Sequence, residues 1–548
     1  MAIPKFLRFS QLRDEKGSSF LIAFSLGLLA LNLWQGYFTE IHNDESYYWL
    51  YTKKLQWGYY DHPPMVALFE WLGQKLVPGN LSIRLIQILF FPMVTAMFFV
   101  IGKSRQFLLM AILLFLASPF LNYLTFMVFP DGPLLIFFLV FLIFLEKQLR
   151  NPSNVHVLGL GMALSMMLYS KYHAILILPF LVLGNFQLLR KWWFYQVALL
   201  AFFLFLPHLI WQYQNDFASF QFHLSGRAKP ISLKYMPDYF GQQLGAVGPI
   251  LILAFFNKAR DEFDKHMKVL VISILGFFCF ISLRGFVHIQ WTSLAYFPAL
   301  FLSAKFLEGA KYKRRFYFLL IPFILLSFLL RFQLVFPIFP GEKLGANFVK
   351  GQHAWADRVS DLTNGATYVY ENDLKEPSTY AFYSGLPAIS FYPSARKSSQ
   401  YAMWSVEDTI QYKPAILGKK KAFEGSKLLE AGQRKLHYIK VDTFISYQNI
   451  KCEWLEQKGK DQVEVKVFNH RISALQLSLD QPLFFLKEEK GERIELKMVS
   501  EWMDVGAKQT EVFSFMPKEK VRPGHYVICI DDGLLSPSVN SDEFLVEY

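Results

Sequence analysis

The chain has 548 residues, a formal net charge of +12, 18% aromatic residues and 57 phenylalanines. That aromatic load exceeds what a soluble core needs, and the cations sit in short connections between apolar stretches rather than along one face with base-stacking aromatics, which excludes nucleic-acid binding. Residues 18–338 contain repeated apolar stretches of about 15–22 residues, whereas 340–548 read as a polar globular segment, so the sequence describes a multi-spanning α-helical membrane protein with a folded tail.

The first apolar stretch, 19–39, follows Lys5, Arg8, Arg13 and Lys16 and has no small-residue cleavage site after it, so it reads as a retained span. Further spans are expected at about 81–101, 106–123, 131–146, 155–170, 172–189, 193–213, 244–257, 267–283, 290–308 and 316–336, about eleven in all. With the N-terminus cytoplasmic, the inner connections carry Lys103 and Arg105, Lys147 and Arg150, Arg190 and Lys191, Lys258 and Arg260, and Lys311, Lys313, Arg314 and Arg315, as the positive-inside rule requires. The outer connections are then 40–80, 118–131, 170–173, 214–243, 284–290 and everything after 337, which gathers nearly all the unusual polar residues on one side.

The loop after the first span is the densest in chemistry. It holds Asp44 and Glu45, the aromatics Tyr47, Tyr48, Trp49, Tyr51, Trp57, Tyr59 and Tyr60, then Asp61, His62, Pro63 and Pro64. Aromatics with a polar tip suit the membrane interface. Tyr48, Tyr51 and Leu55 recur at helical spacing, which predicts an interfacial helix from Asn43 or Asp44 to near Gly58, and Pro63-Pro64 opens a second short helix with Met65, Leu68, Phe69 and Leu72. A capped helix with Asp44 as N-cap and Glu45 in its first turn accounts for both acids without chemistry; an ionised Asp placed beside an acceptor hydroxyl accounts for them with it. Asp131, in Phe129-Pro-Asp-Gly-Pro133, is similarly divided between a turn and a second site acid. Outer-side cations able to offset an anionic leaving group are His62, Arg84, Lys171, His173, Arg227, Arg284 and His288, with Arg84 read as an interface anchor for its span. Lys171 stands between two span ends, where an ionisable residue is costly without a use.

The string Asp44-Glu-Ser-Tyr-Tyr-Trp49, followed by Tyr59-Tyr-Asp-His-Pro-Pro-Met65, resembles the first outer loop of the C-type glycosyltransferases, in the bacterial branch related to protein O-mannosyltransferases and aminoarabinose transferases. The resemblance covers roughly 20–340. It implies the multi-spanning fold of that superfamily and an inverting transfer of a sugar from a polyprenyl-phosphate donor to a hydroxyl of a lipid, glycan or protein acceptor, outside the cytoplasm, at the inner or plasma membrane. It implies Asp44, Glu45 and Asp131 as the catalytic set, with Asp44 as the base, Glu45 beside it as an orienting or capping group and Asp131 nearby in the site. It further implies substrate contacts from Tyr48, Tyr60, Asp61, His62, Lys171, Tyr172, His288 and Trp291; His62 stands where relatives carry a phosphate-contacting Lys, and the element at His288 lacks the family's Pro. No cofactor is required; Asp44 and Asp131 are the two residues to which a divalent cation would bind if one is used. The reading from another class is a lipid or solute transporter or a non-catalytic glycan-binding subunit, which broken helices with mid-span charges would favour.

The tail is expected to hold an α/β region over 339–435, with strands at 367–370 and 388–392 and helices near 348–361 and 375–384. A β-sandwich is expected over 436–548 from alternating runs at 463–468, 474–479, 494–498 and 526–530. Cys452 and Cys529 read as two buried thiols or, in an outside tail, a pair.

Overall fold

The computed structural model describes residues 15–546, apart from 225–229, 249, 310–312, 337, 339–350, 393–398, 432–433, 459–461, 472, 489–492 and 532–535. Arg227 lies outside the described residues, as do Lys5, Arg8, Arg13 and Lys311. The chain divides into two compact units, Met1–Lys350 and Gly351–Tyr548.

The described part of the first unit is helical: α1 (Glu15–Phe38), α2 (Asn43–Tyr51), α3 (Met65–Gln74), α4 (Asn80–Phe99), α5 (Arg105–Leu116), α6 (Pro119–Leu124), α7 (Asp131–Arg150), α8 (Asn154–Ser170), α9 (Ile177–Gly184), α10 (Trp192–Gln214), α11 (Ala218–Leu224), α12 (Met236–Val247), α13 (Ile250–Phe256), α14 (Glu262–Ser282), α15 (Tyr296–Gly309) and α16 (Lys313–Val335). Among the described residues six helices are long and apolar enough to cross a membrane, those within α1, α4, α7, α10, α14 and α16. The other expected spans are helical but shorter or broken: α5 stops before Ser118 and Pro119, α8 and α9 are short, and α12 meets α13 at an 89° bend beside Gly248, whose φ is +59°. Pro and left-handed Gly interrupt helices locally without lowering the average apolarity that a span reading depends on.

Both short helices of the first loop form. α2 begins at Asn43 as expected but ends at Tyr51, because the Tyr59 ring stacks on Tyr51 at 4.1 Å and its hydroxyl donates to Tyr51 O, folding the chain back. Residues Glu45–Tyr51 are all buried, so the aromatics pack inward rather than forming a surface belt; Leu55 and Trp57 remain exposed.

In the second unit, α17 (Gln352–Thr363), β1 (Thr367–Glu371), α18 (Lys375–Ser384), β2 (Ala388–Phe391), β3 (Ala415–Lys419), β4 (Lys427–Ala431) and β5 (Arg434–Val441) build a mixed sheet in the order β2-β1-β3-β5-β4, parallel around β1 and antiparallel at β5. This sheet runs past residue 435 to Val441. Then β6 (Ile450–Lys458), β7 (Gln462–Asn469), β8 (Leu483–Glu488), β9 (Arg493–Met498), β10 (Thr510–Pro517), β11 (Gly524–Asp531), β12 (Ser538–Val539) and β13 (Phe544–Val546) form one continuous sheet instead of two facing ones. It curls until Cys452 N, on its last strand, donates to Asn540 O beyond β12 at the other edge, enclosing Val465, Leu486, Phe513 and Ile528. The run 474–479 is not a strand: Leu475 makes one bridge to Val505, and Leu477–Asp480 is a helical turn tied by Ser478 N–H and Oγ–H donating to Asp504. Cys452 and Cys529 are buried free thiols.

Candidate active site

The site grows from the N-terminus of α2. His42, not Asp44, is the N-cap: its Nδ1 accepts the Asp44 N–H at 3.0 Å, while the Glu45 carboxylate accepts the His42 N–H at 2.8 Å, completing a capping box. The cap being supplied by His42, the Asp44 side chain is released from that duty. It sits in the positive first turn of α2, 29% exposed, with Oδ2 3.6 Å from His42 Nδ1.

Glu45 is held in a buried ion pair. It is fully buried, its two oxygens accept Arg84 Nε at 2.8 Å and Nη2 at 2.5 Å, and Oε1 also accepts Val128 N–H at 2.9 Å. Arg84 is likewise fully buried rather than an interface anchor, and its remaining donors reach the carbonyls of Gly36, Thr39 and Glu40. One bidentate pair therefore fixes the end of α1, the start of α2 and the segment before α7.

Asp131 and Lys171, far apart in sequence, are brought together. Lys171 Nζ donates to both Asp131 oxygens at 2.9 and 2.8 Å, and Ser293 Oγ donates to Oδ1 at 3.1 Å. Lys171 is thus a counter-ion to Asp131. Asp131 opens α7 after Pro130, and Gly132 is required there because a Cβ would lie 1.8 Å from the Gln87 side chain, which itself donates to Leu124 O and Met127 O. Ser293 belongs to the 3-10 segment Ile289–Ala295 that also carries Trp291; the Trp291 ring lies 5.8 Å from His173 and 5.6 Å from the exposed His288.

Tyr48 joins the acids. Its phenol is held well above the ordinary range, by burial first and then by the charges of Asp44, Asp61 and Asp131, so all three carboxylates lie within electrostatic reach of it. Tyr48 OH is 3.4 Å from His62 Nε2, and Tyr51 OH donates to Asp61 Oδ1. Among the described residues no set of three His, Cys, Asp or Glu is arranged to hold a metal ion, and both Asp131 oxygens already face Lys171.

A clamp absent from the sequence reading holds this loop. His208 Nδ1–H donates to Trp57 O at 2.6 Å, Ser219 Oγ–H to Tyr59 O at 2.5 Å and His223 Nε2–H to Asp61 O at 2.8 Å, three side chains of α10 and α11 on alternate carbonyls. That assignment leaves His208 Nε2 to accept from Tyr172 OH at 3.0 Å, with Gln212 donating to the same hydroxyl. Tyr60 packs on Phe222 of α11 at 5.2 Å.

Burial pushes the Asp61 carboxyl up to about 6, against the opposing pull of Tyr51 and His223. The folded chain therefore keeps a proton that the unfolded chain releases near pH 4, so this group's contribution to stability falls as pH rises from about 4 to about 6 and is level above. The melting temperature of Asp61→Asn should gain on wild type over that window, by at most roughly 3 kcal/mol of stability; parallel melting curves from pH 4.5 to 7.5 would remove Asp61 from the titration. In the Asp131 pair, Asp131→Asn strands a buried ammonium and should cost about 3–5 kcal/mol, while Asp131→Asn with Lys171→Met should recover much of it. A double-mutant cycle of thermal unfolding checks this; additive losses would mean the contact is not coupled.

Residues 61–211 match the family described as dolichyl-phosphate-mannose-protein mannosyltransferase. The lipid A galacturonosyltransferase RgtD of Rhizobium johnstonii is 25% identical over 292 residues, 48% of this chain and 60% of that protein, so the match spans less than two thirds of the relative. The crystal structure of ArnT from Cupriavidus metallidurans in the apo state has 13% identity, covers 77% of this chain and 98% of ArnT, and superposes with a TM-score of 0.59; ArnT bound to undecaprenyl phosphate gives 0.57 over the same shares. The family match begins at Asp61, inside the loop that the clamp holds, and the fold likeness takes in nearly all of ArnT: over 61–211 the chain is similar to the protein mannosyltransferases, and its fold is like that of ArnT.

Proposed function

We propose that the protein is an inverting glycosyltransferase that moves a sugar from a polyprenyl-phosphate donor to an acceptor hydroxyl, with a lipid of the lipid A kind as the acceptor class, on the extracytoplasmic face of the inner or plasma membrane. The observation that carries this reading is the position of Asp44. Of the acids gathered around the α2 loop, Glu45 is consumed by Arg84, Asp131 by Lys171, and Asp61 is more deeply buried and accepts from Tyr51 OH, while Asp44 keeps a partly exposed carboxylate at a helix N-terminus beside Tyr48. A carboxylate so placed takes the proton from the acceptor hydroxyl as the hydroxyl oxygen attacks the sugar's anomeric carbon and the bond to the lipid phosphate breaks.

The departing phosphate needs donors that do not have to reorganise. His62, facing Tyr48 and Asp61, supplies one when protonated, and Tyr48 and Tyr60 present hydroxyls from the same loop. Tyr172 follows Lys171 in sequence, and Trp291, with His288 beside its ring, lies two residues before the Ser293 that donates to Asp131; the Asp131–Lys171 pair orders α7 against α8 and the 289–295 segment. The likenesses to a lipid A galacturonosyltransferase and to ArnT, which has been solved with undecaprenyl phosphate, support this donor and acceptor class. The tail is assigned no catalytic part.

The experiment is mass spectrometry of glycolipids and surface glycoproteins from cells with and without the gene, with the lipid-linked sugar pool quantified alongside. One glycan should lose a single sugar while a polyprenyl-phosphate monosaccharide accumulates. Unchanged glycans and an unchanged donor pool in cells that normally make the protein would overturn the transferase reading in favour of transport or glycan binding.

A further inference from the structure

Arg331 was not singled out by the sequence reading because it lies inside an apolar run. It sits one turn from the end of α16, 5% exposed, and its Nε, Nη1 and Nη2 donate to the side-chain amide oxygens of Gln35 (2.6 Å), Asn122 (3.3 Å) and Asn32. Gln35 Nε2 returns a bond to Arg331 O at 2.8 Å, and the Phe126 ring lies 4.9 Å from Cζ. All three acceptors are neutral, and no described carboxylate is near enough to balance the charge. A guanidinium offers five N–H donors, so the amide oxygens leave two over. A buried cation in a membrane bundle, bonded only to neutral acceptors and balanced by no described charge, marks a functional position.

Arg331 lines a cavity of about 410 Å³ whose wall also includes Tyr123, Gly245, Ser327 and, at one end, His42. The volume is that of a small-molecule site, and the lining is apolar with a few convergent polar groups. The His42 end adjoins the chemistry: His42 caps α2 3.6 Å from the Asp44 carboxylate, and Tyr123 lies within electrostatic reach of the same Asp44. Gly245 faces open space, with no atom within 4 Å of where a Cβ would stand.

We propose that this cavity binds an anionic amphiphile, its phosphate or carboxylate paired with Arg331 and its apolar part along α6, α12 and α16, beside His42. That the bound lipid serves the reaction at Asp44 rests on the proposed function; the binding site does not. An anionic headgroup on an apolar chain is shared by the polyprenyl-phosphate donor and by an acidic lipid acceptor, and the test separates them.

Native mass spectrometry of the full-length protein in detergent would use four probes: undecaprenyl phosphate, undecaprenol, lipid A and dephosphorylated lipid A. Arg331→Gln should weaken one phosphorylated probe at least tenfold and leave its uncharged counterpart within twofold, with Arg331→Lys intermediate. Gly245→Phe, which keeps Arg331 and fills the cavity, should displace the same lipid. Loss of undecaprenyl phosphate assigns the cavity to the donor, and loss of lipid A assigns it to the acceptor. Asp44→Asn should bind both as wild type does, so a wild-type turnover in Asp44→Asn would remove the base without touching the cavity. Binding of both phosphorylated lipids to Arg331→Gln and Gly245→Phe within twofold of wild type, or to neither of them in wild type, would overturn the proposal and leave Arg331 as a structural tie between α1 and α16. Should Arg331→Gln fail to fold, Gly245→Phe decides.

Discussion

Asp44→Asn is expected to insert, fold and melt like wild type while losing sugar transfer by about 10²–10⁴-fold, the usual range for a positioned acid-base group. The amide keeps the shape of the side chain, and the α2 cap is made by His42 and Glu45 rather than by Asp44, so the helix has no reason to fray. What disappears is the negative charge that accepts the hydroxyl proton. The check is single-turnover transfer with a polyprenyl-phosphate sugar and purified acceptor, at saturating concentrations of both, so that kcat is separated from binding. A variant with near-normal kcat would exclude Asp44 from the proton transfer.

Arg84→Leu should be far more damaging to the fold than to any single chemical step. It would leave Glu45 as a buried carboxylate with no cation and strip donors from the carbonyls of Gly36, Thr39 and Glu40. Breaking one side of a buried pair costs about 3–5 kcal/mol. The neighbouring Glu70 does not take over the pairing: burial first, and Glu45 second, hold its carboxyl well above the usual range, so it stays neutral. Arg84→Lys should rescue only in part, because an ammonium cannot reproduce the planar fork that serves Glu45 bidentately while reaching three carbonyls. Arg84→Met with Glu45→Gln should recover more than either single change, since no uncompensated charge is left. Thermal unfolding in detergent reads this series. A wild-type melting temperature for Arg84→Leu would mean that the pair does not hold α1 to α2.

The local parts of this protein were legible in its sequence. Apolar runs of span length, basic connections, the start of α2 at Asn43, the start of α3 after Pro63-Pro64, and the α17, β1, α18 and β2 elements of the tail all follow from periodicity and capping within a few residues. The family resemblance, too, was carried by a short contiguous loop.

What the sequence could not specify is which charges meet. Asp131 and Lys171 are 40 positions apart, Glu45 and Arg84 are 39 apart, and Arg331 reaches Asn32 and Gln35 across almost the whole helical unit. Each ionisable residue taken alone fits an interface anchor, a turn or a site equally well. Packing decides, because a charge removed from water is tolerated only where the folded chain supplies its partner or its use. The sequence by itself therefore determined the class of protein and singled out the loop proposed to carry its chemistry, through patterns confined to a few consecutive residues. Only the tertiary structure turned Glu45 from a catalytic candidate into a girder, left Asp44 as the partly exposed carboxylate beside Tyr48, and set an arginine without a described counter-ion against a cavity at its side.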